Sequence, residues 1–156
     1  MPGPVLFCYD GSEDSASAMA AAGELIARPV PAVVLTVWQT AAALLARAGG
    51  FAVGYGDEQQ FDAEETRLAW EAAEEAAARG RELGYETIAR VEQAKEGAAR
   101  TIIDVADELD ARLVVCGRRG RGIVTSTLLG SVSQGVLEHA ARPVLIVPKT
   151  RPQRRT

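Results

Sequence analysis

Histidine and cysteine are nearly absent from this chain: 156 residues include one histidine, His139, and two cysteines, Cys8 and Cys116. Without a Cys/His cluster there is no ligand set for a structural zinc, and two cysteines cannot make a disulfide framework. Each cysteine sits in its own Val/Leu-rich run, far from the other in the chain, and reads as a separate buried thiol. No apolar stretch approaches the roughly 18 residues needed to span a membrane, so no membrane association is expected. The net charge of −4 supplies no general attraction to nucleic acid or anionic lipid. The first residues, Met1-Pro2-Gly3-Pro4, show no charged leader, apolar core or cleavage site, and a cytoplasmic protein is expected.

Several catalytic signatures are absent as well. No G-x-x-x-x-G-K-[ST] occurs, which excludes a P-loop, and no G-x-G-x-x-G follows the first strand-like run. No G-x-S-x-G turn accompanies His139, which reads as a helix-end residue.

What is present is an ordinary globular composition, 47% hydrophobic and 24% charged, sized for one domain. That domain is expected over residues 1–149, with a basic flexible tail at 150–156. Residues 57–86 are acidic and read as a solvated helix face. Five apolar runs, at 5–9, 32–38, 85–91, 112–116 and 143–148, are short and rich in β-branched residues, as buried strands are. Helical spacing lies between them. Residues 13–28 place Ala16, Met19, Ala20, Gly23, Ile26 and Ala27 on one face; 62–83 place Leu68, Ala72, Ala76 and Gly80 there, with Asp62 as cap. Further helices are predicted at 97–109, with Ile102, Val105, Ala106 and Leu109 inward, and after Gly130, with Val132, Val136, Leu137 and Ala140 inward. The glycine-rich connection 39–61 is expected to begin with a short Ala/Leu helix and otherwise to be mobile, either closing over a ligand or indifferent to it.

Alternating strands and helices predict an α/β fold: a doubly wound, mostly parallel five-stranded sheet with helices on both faces. Ligands of such sheets lie outside the carboxyl ends of the strands, where strand order reverses. The segments 10–12, 37–39 and 117 onward all follow strand ends, so they can line one cleft.

Gly117 and Gly120 permit a backbone without side chains, and Gly130-Ser131 opens a helix. A helix start offers unpaired N–H groups to an anion, and the hydroxyls of Ser131 and Ser133 add donors. By spacing alone the glycines suit either a phosphate cradle or the punctuation of a surface loop. Arg118, Arg119 and Arg121 either add to a phosphate-binding field or are simply solvated.

Gly117-x2-Gly120-x9-Gly130-Ser131, followed by Val132-Ser133, resembles the G-2x-G-9x-G-[ST] signature of the ATP-binding branch of the universal stress protein family. The likeness extends from the Tyr9-Asp10-Gly11-Ser12 turn to the segment 139–147, and one position departs: many members carry Ser or Thr where this chain has Arg118. The resemblance implies a Rossmann-like fold, a bound ATP with Mg²⁺, and a homodimer paired through the C-terminal strand. It implies that Asp10 serves the ribose or a phosphate-bound Mg²⁺, and that the backbone of Val37 meets the adenine edge. Gly117 and Gly120 would follow ribose and phosphates, with Gly130, Ser131, Val132 and Ser133 around the terminal phosphates.

The function so implied is that of a stress-response regulator acting on a protein partner. No catalytic base stands out, so any ATP hydrolysis is expected to be slow. Two alternatives stand beside it. One is an enzyme related to ATP pyrophosphatases, whose S-G-G-x-D-S loop the segment 10–15 faintly resembles, with Asp10 and Ser12 replacing its first Ser and second Gly. The other is a dimeric scaffold with an empty cleft.

Overall fold

The computed structural model describes residues 3–49, 57–120 and 129–149. Five strands, β1 (Val5–Cys8), β2 (Pro31–Trp38), β3 (Glu86–Gln93), β4 (Leu113–Gly117) and β5 (Val144–Val147), form one sheet in the order β3-β2-β1-β4-β5, every pair parallel. Five helices connect them: α1 (Glu13–Leu25), α2 (Ala41–Arg47), α3 (Glu58–Glu82), α4 (Ala98–Glu108) and α5 (Ser131–His139). The predicted doubly wound fold is the observed one. Strand alternation explains the unbroken apolar runs, because both faces are covered. Val5, Phe7, Ala32, Val34 and Val115 pack in the core that includes Met19, Ala22, Ala76 and Ala77 of α1 and α3. Leu6, Val33, Leu35, Val114 and Cys116 pack with Ile102, Val105, Ala106 and Val136 of α4 and α5.

The helices depart from expectation in their ends and faces. Helix α1 ends at Leu25 instead of Arg28, and its buried stripe is Ser15, Ala18, Met19, Ala22 and Gly23. Ala20 and Ala27, expected inside, are exposed. Pro29 disfavours helical backbone in the residue before it, and alanine at many positions leaves little hydrophobic contrast to fix a face. Helix α3 is capped by Asp57, whose side chain accepts from the Gln60 N–H; Asp62 lies a turn inside and accepts from Ala41 N–H at 2.9 Å, tying down the start of α2. Its buried residues are Ala69, Ala73, Ala76, Ala77 and Gly80, while Leu68 faces solvent. Gly80 is required by packing, since a Cβ there would stand 2.5 Å from Thr87 Oγ1 on β3. Leu137 of α5, also expected inside, is exposed.

The predicted short helix after β2 is α2; the rest of that connection, residues 50–56, lies outside the described residues, as do the tail 150–156 and Arg121. Among the described residues, no helix is long and apolar enough to cross a membrane.

Candidate functional site

Strand order reverses between β1 and β4. The chain leaves β1 into α1, whose buried residues join one core, and leaves β4 toward α5, whose buried Val136 joins the core on the other face. The two chains diverge at the carboxyl ends, which is where such sheets open a crevice.

On the β1 side, Asp10 Oδ1 accepts the Ser12 N–H at 2.9 Å, and Gly11 holds φ +82, a left-handed turn that favours glycine. Ser12 then caps α1, accepting the Ser15 N–H at 3.2 Å. On the β4 side, Arg118 N–H donates to Val147 O and Gly130 N–H donates to Arg118 O, both at 2.9 Å. The Ser133 hydroxyl donates to Gly117 O at 2.7 Å and is buried, so it clamps the loop to α5 instead of presenting its proton to a ligand. The two sides meet at Gly120, where a Cβ would lie 2.6 Å from Asp10 Oδ2.

The three signature glycines stand on different grounds. A Cβ on Gly117 would come within 2.7 Å of the Asp14 carbonyl carbon, so the first turn of α1 requires glycine there. Gly130 has φ −65 and ψ 155, a conformation open to any residue, and a Cβ there would meet nothing closer than 3.5 Å among the described residues. Nothing among the described residues demands glycine at 130. As the N-cap of α5 it supplies no side-chain oxygen, so the helix start has no side-chain cap. Ser131 is exposed beside it, and the Val132 side chain packs against the core while its backbone lies in the first turn.

Val37 lies one strand away. Leu35 O accepts from Tyr9 N–H at 2.9 Å, so by the two-residue period of a strand the Val37 N–H and C=O also point toward β1, beyond its last residue. They therefore point past the end of β1, toward the carboxyl ends of the central strands, while the Val37 side chain packs against the core on the α4 and α5 side. The structure thus links Ser133 to Gly117 by a hydrogen bond and Gly130 to the same loop through Arg118, brings Gly120 close to Asp10, adds Ser131 and Val132 at the helix start, and leaves Val37 on the neighbouring strand.

Two features escaped the sequence reading. Arg118 and Arg119 are half-buried, and the Nε of each is buried with no hydrogen-bond partner among the described residues, unlike simply solvated arginines. The cysteines are not separate: the β1–β4 register, Phe7 opposite Val115, sets Cys8 beside Cys116, and Cys116 Sγ donates to Cys8 Sγ at 3.1 Å. That hydrogen bond, burial, and the nearby Cys116 and Asp10 push the Cys8 thiol well above its ordinary pKa. The only sequence signal for the pair was that each cysteine lies near its strand's carboxyl end, just before Tyr9-Asp10 and Gly117.

The family model for the universal stress protein family matches residues 1–148. The chain belongs to the universal stress protein family. Among curated proteins, the universal stress protein Sll1654 of Synechocystis is 47% identical over 55 residues, 35% of this chain and 35% of that protein. A universal stress protein of Mycolicibacterium smegmatis is 45% identical over 53 residues, 34% of this chain and 17% of that one. The matched segments thus span about a third and about a sixth of these relatives' lengths. Among solved structures, the hypothetical protein MJ0577 superposes with a TM-score of 0.77 at 18% identity, covering 97% of this chain and 99% of that one. The family fold also occurs in an Archaeoglobus fulgidus universal stress protein in complex with dAMP, with a TM-score of 0.62, 24% identity and coverage of 94% and 99%. Further family structures hold cAMP, at a TM-score of 0.60, and AMP, in an Arabidopsis thaliana protein at 0.64. At these identities the likeness establishes the fold of this universal stress protein.

Proposed function

We propose that this chain binds an adenine nucleotide, ATP foremost, in the crevice between the ends of β1 and β4, and acts as a nucleotide-dependent regulator. The observation that carries the reading is Gly130: a glycine without a steric or conformational reason among the described residues, at a helix start without a side-chain cap. A phosphate chain supplies the missing reason, because it needs side-chain-free approach to the first N–H groups of the helix. The Nε atoms of Arg118 and Arg119 on the same loop, without partners among the described residues, favour an anion, and the outward-facing backbone of Val37 suits an adenine edge. The dAMP, cAMP and AMP held by other family members are all adenine nucleotides, which supports that ligand class.

Among the described residues, no group of three or more His, Cys, Asp or Glu could hold a metal ion. Mg²⁺ would therefore be held by phosphate oxygens together with the Asp10 carboxylate. A homodimer through β5 fits the topology, because β5 is an edge strand whose free side can pair with a twofold-related copy. Mass spectrometry of the small molecules released from gently purified protein tests the central claim. An adenine nucleotide in near-stoichiometric amount supports it, and protein that neither carries nor binds one by calorimetry overturns it. Phosphate release at ordinary enzymatic rates would favour the ATP-cleaving alternative instead.

A further inference from the structure

We propose that Cys8 and Cys116 are a dithiol/disulfide couple, a site of reversible covalent modification built into the centre of the sheet. They occupy facing positions on neighbouring parallel strands, their side chains emerge on the same face, and their sulfurs are 3.1 Å apart. Adjacent strands lie about 4.8 Å apart, inside the roughly 4.4–6.8 Å Cα separation that a disulfide spans, so the bond needs little backbone movement. Both thiols are free in the present state.

Their unequal exposure gives an order of events. Cys8 is half-buried and Cys116 fully buried, so a low-molecular-weight disulfide RSSR meets Cys8 first. The Cys8 thiol loses its proton, slowly because the neutral form is favoured there, and its sulfur attacks one sulfur of RSSR and expels RS⁻, leaving Cys8–S–S–R. The Cys116 thiol loses its proton and attacks Cys8 Sγ, expelling the second RS⁻. The two released protons protonate the two RS⁻ ions. In balance, two protein thiols and RSSR become one Cys8–Cys116 disulfide and two RSH; the protein is oxidised by two electrons and RSSR reduced by two.

The location gives the couple its consequence. Cys116 immediately precedes Gly117 and Cys8 stands two residues before Asp10, so the bond would tie together the two strand ends that diverge at the switch point. The couple forms whatever the neighbouring strand ends bind. Closing a loop of about a hundred residues constrains the unfolded chain strongly, so the oxidised protein should melt several degrees higher than the reduced one.

The test uses the full chain, reduced, freed of reductant and incubated with excess oxidised glutathione, then denatured and alkylated with N-ethylmaleimide. The expected result is loss of both alkylatable thiols, an intact mass lower by two hydrogens without added glutathione, a monomeric band on a non-reducing gel, and a raised melting temperature that reductant reverses. Cys116→Ser should stop at a glutathione adduct on Cys8 or remain unmodified, with no rise in melting temperature. Two thiols still free in the incubated wild-type chain, a persistent glutathione adduct on it, or a disulfide-linked dimer would overturn the proposal.

Discussion

The two ends of the sheet are built to different rules. At the amino ends of β1, β4 and β5 hydrogen bonds tie the segments together: Arg142 bonds Asp107, Asp110 and the Ala111 carbonyl, and Arg112 N–H donates to Pro4 O, although Thr87 Oγ1 at the start of β3 is buried without a partner among the described residues. At the carboxyl ends the matching is incomplete. Helix α5 starts without a side-chain cap, Val37 turns its backbone beyond the end of β1, and the Nε atoms of Arg118 and Arg119 lack partners among the described residues. A closed end holds the fold together, whereas an end with unspent donors is disposed to take a ligand.

The sharpest test of that contrast lies inside the glycine loop. Gly117→Val should cost on the order of 3 kcal/mol in urea unfolding, because its Cβ would overlap the backbone of α1. Gly130→Val should leave stability within about 1 kcal/mol, since its backbone is extended and a Cβ would stand at ordinary van der Waals distance from its nearest described neighbours, yet weaken ATP binding by more than about 100-fold in calorimetry. Equal effects of the two substitutions on stability would erase the distinction.

Asp10 stands between the two rules, since it holds the turn to Ser12 and faces Gly120. Asp10→Ala should lose about 1 kcal/mol of stability and about tenfold in Mg-ATP affinity. Asp10→Asn keeps the Oδ1 acceptor, so it should restore the stability and leave the affinity low. If Asn restores both, the aspartate is a turn residue only.

At the closed end, Arg142→Ala should lower the melting temperature slightly, more at low salt than at high salt, with no change in nucleotide affinity.

The smallest effect concerns Glu13 and Lys149, an exposed ion pair joining the start of α1 to the residues after β5. Lys149 lowers the pKa of Glu13 below 4.5, and Glu13 raises that of Lys149 above 10.5. The carboxylate's share of stability is present above its unfolded pKa and lost as pH falls through the lower folded one. The ammonium's share is present below 10.5 and lost as pH rises through its higher folded value. Glu13→Gln should therefore differ from wild type only between these limits, and weakly, as pH-dependent melting would record.

How far the primary structure can be read depends on contrast and on distance along the chain. The strands were legible because β-branched runs bounded by turn residues have few other uses, and the cleft because three glycines, an aspartate and a helix start all follow strand ends. The inward faces of α1 and α3 were not. Alanine at many neighbouring positions makes the hydrophobic pattern nearly degenerate, and only packing against the sheet chose Ala69 and Ala73 over Leu68.

By itself, the order of residues determined the alternation of strand and helix, the parallel sheet and the segment that forms the glycine loop, because each depends on local periodicity and backbone freedom. Only the tertiary structure decided that packing against α1 requires Gly117, that Asp62 ties down α2 instead of capping α3, and that Cys8 and Cys116 touch. Those facts depend on which strands are neighbours and in what register, and register is set by the packing of both sheet faces at once.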